Sequence, residues 1–345
     1  MPRKEVGGGR PSEQFAGRRQ HRVYILIGYH VGATMVQLAG EPNMNTVRRT
    51  RRVLVVGIDG VNLAALAQVA TPNLDAVAAR GFLASVVVEP DAPSLSGPCW
   101  ATVATGVTAA KHGILGNVLT NHRLATFPDF ASVLHRIGLR SYVAAGWEPL
   151  VTTQFGGPLF ATPSRCTFIA EAGHGAEAWE VLDEQITADA EHVLTTDRPI
   201  ASFIYLGAPD MTAHYLGCGA EYRNSIEAAD VRLGRILAAV GAGVGDAAAE
   251  GESAGAKDGD EWTVIVVTDH GHVEAGGHGG KSEVECTAWI AACGPGIDRD
   301  SAVTGTQSEH LRSLRHVDVV PSIYTALRLP LGREAAFDGR PFNLA

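Results

Sequence analysis

Four nearly unbroken runs of apolar residues predict the central strands of this chain. Runs without polar alternation are typical of strands that are buried on both faces of a parallel sheet. Stretches with helical periodicity lie between them. The runs cover residues 53–58, 82–88, 199–206 and 262–267, with a shorter one at 140–146, and the helical stretches cover residues 127–138, 177–196 and 221–239. This alternation predicts an α/β fold with a mostly parallel central sheet and helices on both faces.

Local signals define one more helix and one irregular segment. Thr71 is a good N-cap, Pro72 suits the first helical position, and Gly81 suits the C-terminal cap of a helix over residues 72–80. Residues 147–175 are rich in proline, glycine and threonine. Their composition predicts a small irregular insertion over any site that the strand ends build.

Carboxylates and histidines follow three of the apolar runs. Asp59 comes directly after the first run, and open α/β sheets build their sites beyond the carboxyl ends of the strands. Asp210 and His214 follow the third run at a spacing that places them on one face of a helical turn. Asp269 and His270 follow the fourth run. Carboxylate and imidazole groups are ordinary zinc ligands, although each residue alone could equally be a cap or a structural histidine.

Two glycine-rich loops carry the remaining candidates. In the loop over residues 91–100, Ser96 would stand at the N-terminus of a helix, where backbone N–H groups and the helix dipole favour an anion. Ser94 is the alternative in the same loop, and either serine could merely cap the helix. His278 lies in the run of glycines over residues 276–280, on a backbone that is free to approach a ligand.

Composition and charge narrow the range of functions. The chain has 345 residues, of which 46% are hydrophobic and 19% are charged, values that are typical of a soluble globular protein. The net charge of −9 argues against a nucleic-acid polymer as the main partner. Five cysteines without a CxxC pair fit neither a disulfide framework nor a zinc ribbon. They suggest a reducing compartment, so we expect a cytoplasmic location.

The first fifty residues stand apart from this pattern. Residues 1–22 are basic, glycine-rich and aperiodic, which predicts a disordered or non-native extension. Residues 23–39 could instead be a signal or anchor, which would make the protein secreted or membrane-attached, but they are too short and polar for a stable span. A third interpretation takes Met44 as the start. In each case one catalytic domain covers residues 51–345, with a flexible low-complexity loop at 241–260.

Seven short motifs follow one another between about residues 53 and 280. They are GIDG, TPNLDAVAARG, PSLSGPCWATVATG, KHGILGN, PDMTAH, VTDHGH and GGHGG. In this order they resemble the alkaline phosphatase superfamily, and most closely its type I phosphodiesterase/nucleotide pyrophosphatase branch. The segments HVDVVPSIYTALRLPLG and DGRPF resemble the end of many members. GGHGG soon after DHG also resembles the phosphoethanolamine transferases of the same superfamily.

The resemblance implies two divalent metal ions and a serine nucleophile. The implied ligands are Asp59, Asp269, His270 and the Ser96 hydroxyl for one ion, and Asp210, His214 and His278 for the other. Mixed carboxylate and imidazole ligation suits zinc best, with manganese or another divalent ion as the alternative. Coordination lowers the pKa of a hydroxyl, so Ser96 would attack phosphorus and form a phosphoserine intermediate.

Departures from the family pattern concern the residues expected to contact the substrate, whereas the implied metal ligands are all present. Many nucleotide pyrophosphatases carry asparagine three residues after the nucleophile, whereas this chain has Cys99, a weaker donor. Lys111 and Lys281 are weaker candidates for contacts to a phosphomonoester dianion. The sulfatase signature needs arginine where this chain has Trp100, which argues against a sulfatase.

We therefore expect a two-metal phosphodiesterase of the nucleotide pyrophosphatase type, acting on a small phosphorylated substrate. A phosphomonoesterase, a phosphoethanolamine-type transferase and a non-catalytic metal-binding protein are the alternatives. The sequence leaves the physiological substrate and the oligomeric state open.

Overall fold

The first apolar run forms the central strand of a seven-stranded sheet. The computed structural model describes residues 49–243, 259–297, 314–331 and 337–342. The strands are β1 (Thr50–Ile58), β2 (Gly81–Val87), β3 (Ser141–Ala145), β4 (Arg165–Phe168), β5 (Ala201–Leu206), β6 (Asp260–Val267) and β7 (Thr287–Cys293). Their order in the sheet is β2-β7-β6-β1-β5-β3-β4. Among these strands only β7 runs against the others, so the predicted fold class is confirmed.

Strand β1 lies between β5 and β6 and is parallel to both. In the register of the sheet, Gly57 is the partner of Tyr205 on one side and of Val267 on the other. The three strands therefore end together at one edge, which is where the candidate ligands follow. Val53 to Val56 are fully buried, as the unbroken apolar pattern predicts. Each such side chain contributes about 1.5–3 kcal/mol relative to exposure.

Helices cover the sheet and connect its strands. They are α1 (Leu63–Leu66), α2 (Pro72–Arg80), α3 (Ser96–Thr105), α4 (Ala109–His112), α5 (Phe130–Arg136), α6 (Glu148–Val151), α7 (Ala176–Thr196), α8 (Ala208–Leu216), α9 (Ala220–Ala239), α10 (Glu283–Cys286) and α11 (Val319–Ala326). Short 3₁₀ turns occur at Gln154–Gly156 and His316–Asp318. No helix in the described part of the chain is both long and apolar enough to cross a membrane.

Helix α3 is buried along its whole length, and the C-terminal segment closes over its end. All ten of its residues are buried. Gly106, which follows it, has a left-handed φ of 71°, and a Cβ there would lie 2.9 Å from the ring of Phe337. The backbone N–H of Thr108 donates to Asp338 Oδ2 at 2.9 Å. These contacts fix the position of the helix that begins with Ser96.

The structure corrects the two end signals assigned to α2. The Thr71 side chain makes no capping hydrogen bond. Instead the Asp230 carboxylate, from α9, accepts the N–H groups of Asn73 (3.1 Å) and Leu74 (2.8 Å). Gly81 is not a left-handed cap, because its φ is −157° and β2 begins there. Glycine is needed because a Cβ would lie 1.9 Å from the carbonyl oxygen of Ala292 on the neighbouring strand β7.

The predicted insertion at 147–175 is more ordered than its composition suggests. It contains α6, a 3₁₀ turn and β4, and β4 extends the sheet beyond β3 as its edge strand. The prediction that the segment is irregular is therefore wrong for these parts. The predictions for residues 1–48, and for most of the low-complexity loop at 241–260, lie outside the described residues.

Candidate metal centre

Four predicted residues converge at the carboxyl end of β1. His270 Nε2 lies 3.2 Å from Asp269 Oδ2, 3.7 Å from Asp59 Oδ1 and 3.3 Å from Ser96 Oγ. Asp59, Asp269 and His270 are completely inaccessible to solvent, and Ser96 is buried as well. They come from three separate parts of the chain, with Asp269 and His270 adjacent, so the parallel sheet and the N-terminus of α3 bring them together.

Two carboxylate oxygens in this group are left for a cation. Asp59 Oδ1 and Asp269 Oδ2 are buried and have no hydrogen-bond partner among the described residues. Their other oxygens are occupied: Asp269 Oδ1 accepts the N–H of Gly60 at 3.1 Å, and Asp59 Oδ2 accepts two side-chain donors. Unpaired buried anionic oxygens are costly, and a bound divalent ion would remove that cost. The donor set therefore fits a metal ion.

The second predicted group forms beside the first. Asp210 and His214 lie one turn apart on α8, and His214 Nε2 is 3.6 Å from Asp210 Oδ2. His278 Nε2 lies 2.9 Å from His214 Nε2 and 3.5 Å from Asp210 Oδ1. One carboxylate and two imidazoles around one point form a donor set that suits zinc. The two groups adjoin, because ligand atoms of Asp59, Asp210 and His270 also lie within 4.8 Å of one another.

Backbone contacts determine which ring nitrogen of each histidine is available. The Nδ1 atom of His278 lies 2.6 Å from the carbonyl oxygen of Ser94, and that of His270 lies 3.3 Å from the carbonyl oxygen of Gly271. A carbonyl only accepts, so Nδ1 carries the proton in both rings. Their Nε2 lone pairs are then free to face the site, which is the arrangement that metal-binding histidines require.

His272 belongs to the site but in a different role, which the sequence interpretation missed. Its Nδ1 accepts the N–H of Gly277 at 3.0 Å, so the neutral ring carries its proton on Nε2. That proton is donated to Asp210 Oδ1 at 2.7 Å. His272 therefore orients Asp210 and is not a further ligand in this arrangement. The DHGH motif contains the residue, but only the fold reveals its partner.

Two glycines allow the loops to close on this site. Gly60, with a left-handed φ of 66°, follows Asp59, and a Cβ there would lie 2.7 Å from both Asp210 Oδ1 and His272 Nε2. Gly276, with a φ of 77°, packs so closely on α8 that a Cβ would lie 1.9 Å from the carbonyl oxygen of Ala213. Both positions require glycine, for backbone conformation and for space.

A buried carboxylate holds the start of the helix that carries Asp210 and His214. Asp183, on α7, accepts the N–H of Gly207 at 3.0 Å and that of Ala208 at 2.8 Å. Burial raises the pKa of this carboxyl to about 7, although the two N–H donors oppose the shift. Asp183 thus satisfies two donors at the N-terminus of α8 that would otherwise be unpaired. The sequence interpretation assigned it no role.

The structure gives the two candidate serines different roles. Ser96 is the first residue of α3 and its hydroxyl faces the first group of ligands. The Ser94 hydroxyl instead bridges the glycine-rich loop, donating to the Gly280 carbonyl at 2.9 Å and accepting the Gly279 N–H at 3.0 Å. Since the Ser94 carbonyl also binds His278, Ser94 fixes the loop that carries this ligand.

Asn117 lies beside the loop that carries Ser96, and the sequence interpretation gave it no role in the site. Its Oδ1 accepts the N–H of Gly97 at 2.9 Å, next to Ser96 in the chain. A Cβ at Gly97 would lie 2.3 Å from the Gly116 carbonyl oxygen, so glycine is what allows the KHGILGN loop to approach. The signal was present as the last residue of that motif, but nothing in the sequence showed which loop it contacts.

The three weaker candidates have other partners. Cys99 is buried with its thiol 3.8 Å from the Pro93 carbonyl oxygen, and burial raises the pKa of this thiol well above its usual value. Lys111 forms an ion pair with Asp338 at 2.5 Å. Lys281 donates to the carbonyl of Pro90 at 3.3 Å. None of these contacts points to the substrate, so a role in binding it stays a prediction.

Burial sets the charge state of the metal-free ligands. Burial first, and then the charge of Asp269, raises the pKa of Asp59 well above its usual range. Burial and the charge of Asp210 raise the pKa of Asp269 to about 8. Burial alone would also raise the pKa of Asp210, but the hydrogen bond from His272 and the neighbouring histidines lower it. Burial lowers the pKa of His270 and His278.

We expect metal affinity to increase with pH up to about 8. Binding must release the proton of Asp269, whose pKa is about 8, and that of Asp59, whose pKa burial also raises, whereas histidines of lowered pKa compete with the metal only in more acidic solution. Each proton released per ion gives roughly a tenfold gain in affinity per pH unit. Competition with a chelator at pH 6.5, 7.2 and 8, using Mn²⁺, measures this. An affinity that stays constant above pH 6.5 would contradict the expected protonation of Asp269.

A mostly parallel sheet that gathers a serine, three aspartates and three histidines at one edge defines a member of the alkaline phosphatase superfamily. Within it, the chain belongs to the type I phosphodiesterase/nucleotide pyrophosphatase family, whose model matches residues 53–309. This family match indicates a hydrolase of phosphoesters. A search of curated proteins finds no match to this chain.

Solved structures share the fold at low sequence identity. A 2-O GAG sulfatase aligns with a TM-score of 0.57 and 14% identity, over 84% of this chain and 73% of its own. An inactive form of murine ectonucleotide pyrophosphatase/phosphodiesterase 5, in complex with AMP, gives 0.54 and 15%, over 81% and 96%. The lipoteichoic acid synthase LtaP from Listeria monocytogenes gives 0.56 and 11%, over 85% and 76%. At these identities the similarity establishes the fold alone.

Proposed function

We propose that the protein is a two-metal phosphodiesterase that uses Ser96 as its nucleophile. The observation that carries this proposal is the position of the Ser96 hydroxyl. It lies 3.3 Å from His270 Nε2, in a buried group where oxygens of Asp59 and Asp269 have no hydrogen-bond partner among the described residues. These surroundings support a role for Ser96 in chemistry that needs an activated oxygen, whereas a simple helix cap would bind backbone N–H groups.

The residues divide into two sets of metal ligands. The first set is Asp59, Asp269, His270 and the Ser96 hydroxyl, and the second is Asp210, His214 and His278. Carboxylate and imidazole donors favour zinc, with manganese as the alternative. When bound, the two ions would lower the pKa of the serine hydroxyl and offset the negative charge of the phosphoryl group.

The protein's own groups position the serine and the phosphoryl group. Ser96 begins a buried ten-residue helix, so the helix dipole favours an anion beside its hydroxyl. Asn117, bonded to the N–H of Gly97, brings its side-chain amide to the same helix end. Ser96 Oγ bonds to phosphorus and gives up its proton to solvent, while the ester oxygen leaves with the electron pair of its P–O bond and takes up a proton from water. A water molecule then attacks the phosphoserine, restores the Ser96 hydroxyl and releases the phosphomonoester product.

Charge favours a diester over a monoester substrate. A phosphomonoester carries close to two negative charges at neutral pH, because its second pKa is about 6. A diester carries one. The cationic side chains considered for the extra charge are engaged elsewhere: Lys111 with Asp338, and Lys281 with the Pro90 carbonyl. The described part of the site therefore offers a diester a better balance of charge.

A panel of p-nitrophenyl esters tests the proposed activity. We expect a nucleoside phosphodiester to be hydrolysed at least about tenfold faster, in kcat/KM, than the phosphomonoester, the phosphonate or the sulfate; tenfold corresponds to about 1.4 kcal/mol of transition-state binding. Metal analysis of the same sample should find two divalent ions per chain. A faster monoester would identify a phosphatase, and a faster sulfate a sulfatase. Bound metal without any hydrolysis would favour a transferase or a non-catalytic protein.

A further inference from the structure

The side chain of Trp100 reaches from α3 to the first metal ligand. Its indole Nε1–H donates to Asp59 Oδ2 at 2.9 Å, and Trp100 is completely buried. The hydroxyl of Tyr205, on β5, donates to the same oxygen at 2.7 Å. Both donors bind one oxygen, while Asp59 Oδ1 has no hydrogen-bond partner among the described residues and faces His270 Nε2 at 3.7 Å. Two side-chain donors therefore hold Oδ2 of Asp59, and Oδ1 is directed toward His270.

The strand that carries Asp59 leaves space for this indole. Gly57 lies two residues earlier, on the same side of β1 as Asp59. A Cβ at Gly57 would lie 2.6 Å from Trp100 Cη2 and 2.8 Å from Cζ3, so any other residue would displace the ring. The indole also packs edge-to-face against Phe203 and Tyr205, with centroid distances of 5.6 and 5.8 Å. These contacts fix the orientation of the ring and therefore of its N–H.

We propose that Trp100 is a positioning residue for the metal centre: its N–H selects Oδ1 of Asp59 as the ligand atom. This inference rests on the metal site of the proposed function, but not on which ester is cleaved. A carboxylate with both oxygens free can rotate or bind in a bidentate manner, whereas donors on Oδ2 leave one oxygen in one orientation. Partners that orient a ligand in this way commonly change metal affinity by 10–100-fold when they are removed.

Trp100 also connects the nucleophile to the ligand. It lies four residues after Ser96, one turn further along α3. The same helix therefore presents the serine and the indole that holds Asp59, so the distance between nucleophile and ligand depends on a rigid element. A neutral donor performs this task without adding a charge that would repel the metal ion.

The test compares Trp100→Phe with Trp289→Phe. Trp289 is also completely buried, and its Nε1–H donates to the carbonyl of Val61 at 3.1 Å, so each variant removes one buried N–H and keeps an aromatic ring. Metal affinity is measured by chelator competition with Zn²⁺, and the stability of the metal-free proteins by urea unfolding. We expect Trp100→Phe to weaken one of the two ions by roughly 10–100-fold. Trp289→Phe should bind both like the wild type, with a comparable shift of the urea midpoint.

Equal affinities in Trp100→Phe and the wild type would overturn the inference, as would an equal loss in Trp289→Phe. Tyr205→Phe provides a second variant that removes the other donor to Oδ2 and should weaken the same ion. If Trp100→Phe does not fold, the Tyr205 variant still measures whether donors on Oδ2 control the metal. A wild-type protein that binds no ions would refute the proposed centre itself, which separates that failure from a failure of the inference.

Discussion

Replacement of Ser96 by alanine should reduce kcat on a phosphodiester by more than about 10⁴-fold, the size of effect seen when nucleophiles are removed from other hydrolases. The change deletes the hydroxyl oxygen that would form the proposed phosphoserine. It should leave folding almost unchanged, because Ser96 makes no cap bond for α3 and its removal creates little empty space. Steady-state kinetics measures the loss, and urea unfolding with metal analysis verifies the fold and the ions.

Ser94→Ala is the matched control for this experiment. Both serines are buried in the same loop, but the Ser94 hydroxyl binds Gly279 and Gly280 and so fixes the loop of His278. Its loss should weaken the second metal ion and lower activity partially, and excess metal should restore much of that activity. If Ser94→Ala were inactive with metal bound while Ser96→Ala retained turnover, the assignment of the nucleophile would be wrong.

Asp59→Asn should weaken the first metal ion strongly and reduce turnover by about 10³-fold, because a bound ion contributes several kcal/mol to catalysis and each 1.36 kcal/mol is tenfold in rate. The amide has one acceptor oxygen. This oxygen can accept from Trp100 and Tyr205 or bind the metal, but not both. In the first orientation the NH₂ group faces the cation, and in the second it faces the two donors, so both orientations are unfavourable.

Asp210→Asn is the comparison for Asp59→Asn, because it should disturb the second ion and leave the first in place. Metal stoichiometry and affinity, measured for both variants beside kcat, distinguish the two sites. An Asp59→Asn protein that retains full activity and two tightly bound ions would show that Asp59 has a structural role only.

The sequence predicts those candidate ligands whose position follows from strand order. Asp59, Asp210 and Asp269 stand just after apolar runs, and parallel strands bring such positions to one edge whatever lies between them. The sheet, the helix of Asp210 and His214, and the start of α3 at Ser96 agree with these predictions. The glycine run made His278 a candidate, but only the resemblance assigned it to the second ion, because a histidine among glycines has no periodicity that would place it.

The contacts that support the ligands could not be predicted in the same way. His272 meets Asp210 across 62 residues of chain, and Trp100 meets Asp59 across 41. Asp183 and Asp230 accept N–H groups at the starts of α8 and α2, although both lie on other helices, and for α2 the local rules had suggested Thr71. Such pairings depend on the angles at which helices cross the sheet, and no local pattern encodes those angles. The need for glycine at position 81 was also not predictable, because it comes from the close approach of the β7 backbone at Ala292.

The strand order β6-β1-β5 sets the spacing of the three aspartates in the candidate metal centre. Asp59 follows β1, Asp269 follows β6, and Asp210 lies in the helix after β5. The three candidate acidic ligands therefore lie just beyond the ends of three adjacent strands. In the proposed centre, Asp59 and Asp269 bind one ion and Asp210 binds the other. The spacing of about 4.8 Å between β1 and β5 is close to the roughly 4 Å between the ions of two-metal sites, so the backbone hydrogen bonds of the sheet would set the distance between the ions. The strands therefore set the spacing of the three aspartates, and the glycine-rich loop held by Ser94 adds His278 to them.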